Sequence, residues 1–90
     1  MNDIKEFMNQ LGIHDKGNYI NNTYVIDIPD SNTYGKYYSI LDRSDIIEED
    51  TESSSINVDN SNIQFINDDY VLTLIADFEN SLYKLTIKEN

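Results

Sequence analysis

The side chains with enough chemistry to act are few, and their spacing limits them further. His14 is the only histidine and there is no cysteine, so a histidine- or thiolate-rich metal site is excluded, and any serine or threonine nucleophile has one candidate base. No serine sits in a glycine elbow. Acid pairs exist at Glu48-Glu49 and Asp68-Asp69, yet adjacent residues of a strand point to opposite faces, which works against a general acid and base acting on one substrate atom. Asp59-Asn60-Ser61-Asn62 offers oxygen ligands without the glycine and distal glutamate of a calcium loop and reads as a turn. Gly12, Gly17 and Gly35 are too scattered to cradle a phosphate. The chain therefore reads as a non-enzyme with no cofactor.

What remains is charge. Seventeen acids against six bases give a net charge of −11 over 90 residues. Residues 1–40 hold five acids and three bases, and residues 70–90 hold three and two. Residues 41–69 hold nine acids and one base, Arg43, a local balance of −8. Such a surface repels nucleic acid and anionic membrane and attracts basic protein surfaces. The candidate partner-binding residues are Asp45, Glu48, Glu49, Asp50 and Glu52, too dense to be buried and too poor in local cations to be neutralised within the chain. The competing reading is a solvated loop that keeps the protein soluble. Seven tyrosines outnumber three phenylalanines, and Tyr34, Tyr37 and Tyr38 are candidates for an exposed interface, with Tyr37 and Tyr38 flanking the acids as apolar anchors.

The elements that must position these residues are legible to different degrees. Residues 70–88 are the most apolar and regular stretch. Tyr83, Leu85 and Ile87 alternate with Leu82, Lys84, Thr86 and Lys88, a strand with one wet face, while Val71 and Ile75 make residues 70–78 apolar on both sides, as in a central strand covered on both faces. Glu79-Asn80-Ser81 supplies the turn between them. Near the N-terminus, Asp3 and Glu6 have the spacing of a capping box, and Ile4, Phe7, Met8 and Leu11 share a helical face. Gly12 can end that helix in a left-handed conformation with Ile13 folding back on Met8, giving a helix over residues 3–11. Tyr24, Ile26 and Ile28 mark a strand ended by Pro29, and residues 36–42 read as its hairpin partner after a turn at residues 29–32. Ile46 and Ile47 could peg a loop to the body, but after Ser44 they read as a short helical turn followed by a flexible acidic loop within residues 45–54. Residues 55–59 and 62–67 read as strands with Ile56, Val58, Ile63 and Phe65 inward and a turn at Asn60-Ser61. The sum is a single α+β domain over residues 1–90, one short helix packed on an antiparallel sheet of five or six strands spanning about residues 23–88. No apolar run reaches the length of a membrane span, no basic-then-apolar leader opens the chain, and the absence of cysteine favours a cytoplasmic setting.

A small, acidic, cysteine-free chain of this kind has the properties of an inhibitor that fills a basic nucleic-acid groove. Carboxylates two residues apart on a strand face lie about 6.6 Å apart, close to two base-pair rises of about 3.4 Å. In its leading helix DIKEFMNQL, acidic middle SDIIEEDTE and closing LYKLTIKEN, the layout resembles the small phage-encoded anti-CRISPR proteins that block RNA-guided nucleases, and more distantly the uracil-DNA glycosylase inhibitor. The resemblance implies a phage or prophage origin and, as partner, a basic nucleic-acid-binding protein such as a CRISPR effector or other nuclease, with no direct binding of nucleic acid. The same charge logic fits an immunity protein or antitoxin that neutralises a nuclease toxin. A structural protein that self-associates through tyrosine-rich strands is a third reading. A monomer or small homodimer is expected.

Overall fold

A computed structural model describes residues 2–90, with side chains from Ile4 onward. The N-terminal helix, α1 (Asn2–Leu11), forms where the apolar spacing predicts it, and Ile4, Phe7, Met8 and Leu11 are all buried. The Asp3–Glu6 capping arrangement lies outside the described residues. Gly12 has φ +87°, its N–H donates to the Asn9 carbonyl at 3.1 Å, and the Ile13 N–H donates back to the Met8 carbonyl at 2.9 Å. That pair of bonds is the Schellman ending, and it turns Ile13 into the core.

Seven antiparallel strands follow, β1 (Asn18–Ile20), β2 (Thr23–Ile28), β3 (Glu48–Glu49), β4 (Ser55–Ile56), β5 (Asn60–Ile66), β6 (Tyr70–Asp77) and β7 (Leu82–Glu89), in the order β1-β2-β7-β6-β5-β3, with β4 also on β5. The class is α+β, as the pattern predicts, but the described residues form seven strands where five or six were expected and two α-helices where one was expected. The β6–β7 hairpin sits at its centre and turns through Ser81 at φ +54°. The inward residues form cross-strand rows, Tyr24, Ile87, Leu72 and Phe65 in one and Ile26, Leu85, Leu74 and Ile63 in the next. Leu72, Leu74, Leu85 and Ile87 are completely buried, each stabilising the fold by about 1.5–3 kcal/mol relative to exposure. Phe7 of α1 stacks on Tyr70 with ring centroids 4.4 Å apart, so the first helix covers the start of β6.

The main departure from expectation is residues 36–42, which are helix and not strand. They belong to α2 (Ser31–Arg43), opened by Asp30, whose carboxylate accepts the Thr33 N–H at 2.8 Å. The expected turn at residues 29–32 is this N-cap. Tyr34, Tyr37, Tyr38 and Leu41 recur at helical spacing and lay one face of α2 onto the core. With that partner gone, β2 pairs with β7, closing the N-terminal half onto the C-terminal strand, and its own hairpin is with β1. The β1–β2 turn uses Asn21 and Asn22, both at positive φ (51° and 64°), the geometry that suits the twist of a two-residue hairpin. Gly17 is required just before it. A Cβ there would lie 2.3 Å from the Val25 carbonyl oxygen, a backbone atom that cannot move aside.

Three smaller expectations also change. The strand expected over residues 55–59 is only β4, and Ile56 and Val58 are 69 % and 94 % exposed, because Asn57 turns back to bond Asn60 at 2.8 Å. Asn60 and Ser61 open β5 and are not the turn. Both helices contribute to the one core cluster, while the outward residues of β6, Val71, Thr73 and Ile75, stay half-buried, so the central strand is covered on one face only. No helix among the described residues is long and apolar enough to cross a membrane.

Candidate acidic interface

The acidic middle folds as an interrupted edge strand along β5, and not as a helical turn at Ile46-Ile47 followed by a flexible loop. Glu49 faces Phe65 and Ser55 faces Asn62, so six steps along the edge answer three along β5 and three residues are in excess. They form the 3-10 turn Thr51–Ser53, which bulges away from the sheet with every residue exposed. Ser54 repairs the ladder where it breaks. Its hydroxyl donates to the Asp50 carbonyl at 2.8 Å and accepts the Gln64 N–H at 3.0 Å, while the Asp50 N–H donates to the Gln64 carbonyl at 2.8 Å.

The candidate acids are thereby spread around the edge and do not make a single row. Glu52 is exposed on the bulge, and Asp50 is half-buried beneath it. Glu48 is exposed and lies opposite Ile66, an outward position of β5, whereas Glu49 is half-buried opposite Phe65, an inward one. Glu49 lies on the helical side near Tyr38. The Tyr38 hydroxyl is pushed above its ordinary ionisation range by burial first, then by the charges of Asp42 and Glu49. Tyr38 is half-buried, its ring 6.3 Å from that of Phe65, and it remains beside the acids.

Tyr37 does not. It is 4 % exposed, inside the core, and its hydroxyl donates a hydrogen bond to the Asp15 carboxylate, so it cannot be the surface anchor expected of it. On a helix Tyr37 and Tyr38 point about 100° apart, which turns one into the core and leaves the other at its margin. Tyr34 is also taken up internally, its ring 5.5 Å from Tyr83 and 6.1 Å from Phe78.

Asp45 and Glu48 instead join carboxylates that are remote in sequence. Asp45, Ile46, Glu48, Asn67 and Asp68 line a concavity of about 230 Å³. It shares Ile46, Asn67 and Asp68 with a larger cleft of about 580 Å³, to which Glu6, Phe7, Gln10, Asp69, Tyr70, Glu89 and Asn90 contribute. Six carboxylates thus border two adjoining hollows, and neither lining includes a lysine or arginine. Asn67 holds the end together. Its side-chain oxygen accepts the N–H groups of Asp69 (2.8 Å) and Tyr70 (2.7 Å), its amide donates to the Ile46 carbonyl (3.2 Å), and its own carbonyl accepts the Asn90 side chain (2.9 Å). Glu6 and Glu89 were invisible as site residues in the sequence, because only the docking of α1 beside the end of β7 brings them together. An Asn-Asp-Asp run before an apolar strand was the available signal for Asn67, as an asparagine that can fold onto its own backbone two and three residues on.

No group of three or more metal-ligating side chains is gathered among the described residues. The arrangement presents acceptors and negative charge around the exposed apolar residue Ile46, which is suited to arginine and lysine side chains. No family model, curated protein or solved structure matches the chain.

Proposed function

We propose that the protein is a non-catalytic inhibitor of the phage anti-CRISPR type, which occupies the basic nucleic-acid-binding surface of a nuclease effector in the cytoplasm of the host cell. The observation that carries this reading is the gathering of Asp45, Glu48, Asp68, Asp69, Glu6 and Glu89 at one end of the sheet, contiguous with the Glu48–Glu49 edge and the Glu52 bulge. A coat serving solubility alone would gain nothing from concentrating like charges, which repel one another. Exposed carboxylates would satisfy the arginines and lysines that normally hold phosphates, and Tyr38 and Ile46 would supply apolar contact between them.

Capture from a lysate of the cell that encodes the protein tests the proposal. At low salt a basic nuclease should be retained, should be released by added duplex DNA, and should be lost as salt rises. Retention that DNA fails to reverse, or a gel shift of bare DNA or RNA by the purified protein at moderate salt, would contradict it.

A further inference from the structure

The sheet face turned away from the helices carries a second surface, independent of the acidic end. An antiparallel sheet with one wet face normally sets charged residues outward. Here the outward positions across the four long strands run Val25, Thr86, Thr73 and Gln64 in one cross-strand row, with Val71 and Ile75 on either side along β6. All six are uncharged and half-buried by their neighbours alone. The outward charged residues of these strands stand around that centre and cancel: Asp27 lies directly opposite Lys84, and Lys88 and Asp77 lie towards opposite ends of the face. Over its four long strands a molecule of net charge −11 therefore has a face whose charges sum to zero, with Glu48 of β3 standing at its rim. The apolar character of both sides of β6 in the sequence has no counterpart within a single copy of the chain.

We propose that this face is the contact between two copies of the chain, packed sheet to sheet with the helices outermost. Charge selects the occupant, because a basic partner would be drawn to the acidic end, and two copies of so acidic a chain can approach closely only where the charge vanishes. Size permits it. Four strands about 4.8 Å apart and seven residues at about 3.3 Å each cover roughly 440 Å² in flat projection per copy. The corrugated accessible area is larger, so two copies reach the total of about 1,000 Å² below which specific contacts are rare. Facing sheets would pack about 10 Å apart with their strands inclined by about 30°. The acidic end and the Glu52 bulge would remain open in both copies.

Sedimentation velocity on the purified chain from about 10 to about 200 µM, at about 0.05 and about 0.3 M salt, tests this. The dimer should grow with concentration and should be stronger at the higher salt, because the long-range repulsion between two acidic bodies is then screened. That is the opposite sign to the salt dependence of a basic target, so either proposal can fail without the other. Thr73→Glu places like charges face to face at the centre of the contact and should lower the association at least tenfold with an unchanged circular dichroism spectrum. Val25→Glu, on a different strand, should do the same and serves if the first variant does not fold. Ile56→Glu at the β4 edge, which lies opposite Ser61 on the helical side of the sheet, should leave the dimer intact. A chain that stays monomeric at about 200 µM in both salts overturns the proposal. So does a dimer that survives both face variants, or one lost only with Ile56→Glu, which would mean edge pairing.

Discussion

Tyr37 carries its hydroxyl into the core and meets a carboxylate there. Burial first, then the hydrogen bond to Asp15 and the negative charge of that group, raise its ionisation well above the ordinary value of 10.0. Because the folded state resists phenolate formation and the unfolded state does not, this contribution to stability is complete below pH 10 and is lost as pH rises through the folded-state value. In an alkaline titration followed at the phenolate absorption band, Tyr37 should ionise only as the chain unfolds. Tyr37→Phe should remove that step and cost about 0.5–1.5 kcal/mol in urea at neutral pH. Equal stability and an unchanged titration would show that the Asp15 contact contributes nothing. Asp30 shifts the other way, lowered chiefly by the Thr33 N–H it caps. Its support of α2 is present above the ordinary carboxylate range and fades as pH falls through the lowered value. Asp30→Asn should retain the cap while making helix content less sensitive to acid. If parent and variant lose helix over the same acid range, the cap is not the cause.

Among the elements, α1 and the joints of the acidic edge make separate claims. Phe7→Ala removes a buried ring stacked on Tyr70 and should cost about 3–5 kcal/mol in urea unfolding. A parental midpoint would mean that the helix is not part of the cooperative core. Asn67→Ala should act differently. It deletes the acceptor of two backbone N–H groups and the clamp to Ile46, so amide exchange at Asp69 and Tyr70 should quicken more than in the centre of β6. Uniform quickening throughout β6 would instead point to global destabilisation. These contrasts also explain what could be read from sequence. The β6–β7 hairpin and α1 were legible because Leu72, Leu74, Leu85 and Ile87, and likewise Ile4, Phe7, Met8 and Leu11, each satisfy one period only. α2 was misread because Tyr38 and Ile40 fit an alternating pattern while Tyr34, Tyr37, Tyr38 and Leu41 fit a helical one, and Pro29-Asp30-Ser31 resembles a turn as much as a cap. Part of the candidate site was legible as charge density. The grouping of Glu6 and Glu89 with Asp68 and Asp69 was not, since it arises from tertiary docking alone.

At the scale of the whole molecule, the sheet separates two surfaces of opposite character, an acidic end with its bulged edge and a neutral back face. Acids on the edge also block sheet-to-sheet growth there, a role exposed edge strands commonly need, so charge removal must be scored on binding as well as on solubility. A single exposed carboxylate is worth about 0.2–1 kcal/mol against a basic partner, while one desolvated against an arginine is worth about 2–5 kcal/mol, and single substitutions should be uneven. Joint replacement is more decisive. Glu48→Gln, Glu49→Gln, Asp50→Asn and Glu52→Gln together remove four charges without touching the core, and Ser54 remains to close the bulge. The direct measurement is displacement of labelled duplex DNA from the captured nuclease by the parent and by this quadruple variant, both shown by circular dichroism to be folded. The parent should displace the DNA, and the variant should need at least about tenfold more protein, the equivalent of about 1.4 kcal/mol; equal potency in the two would contradict the assignment of this edge as the inhibitory surface.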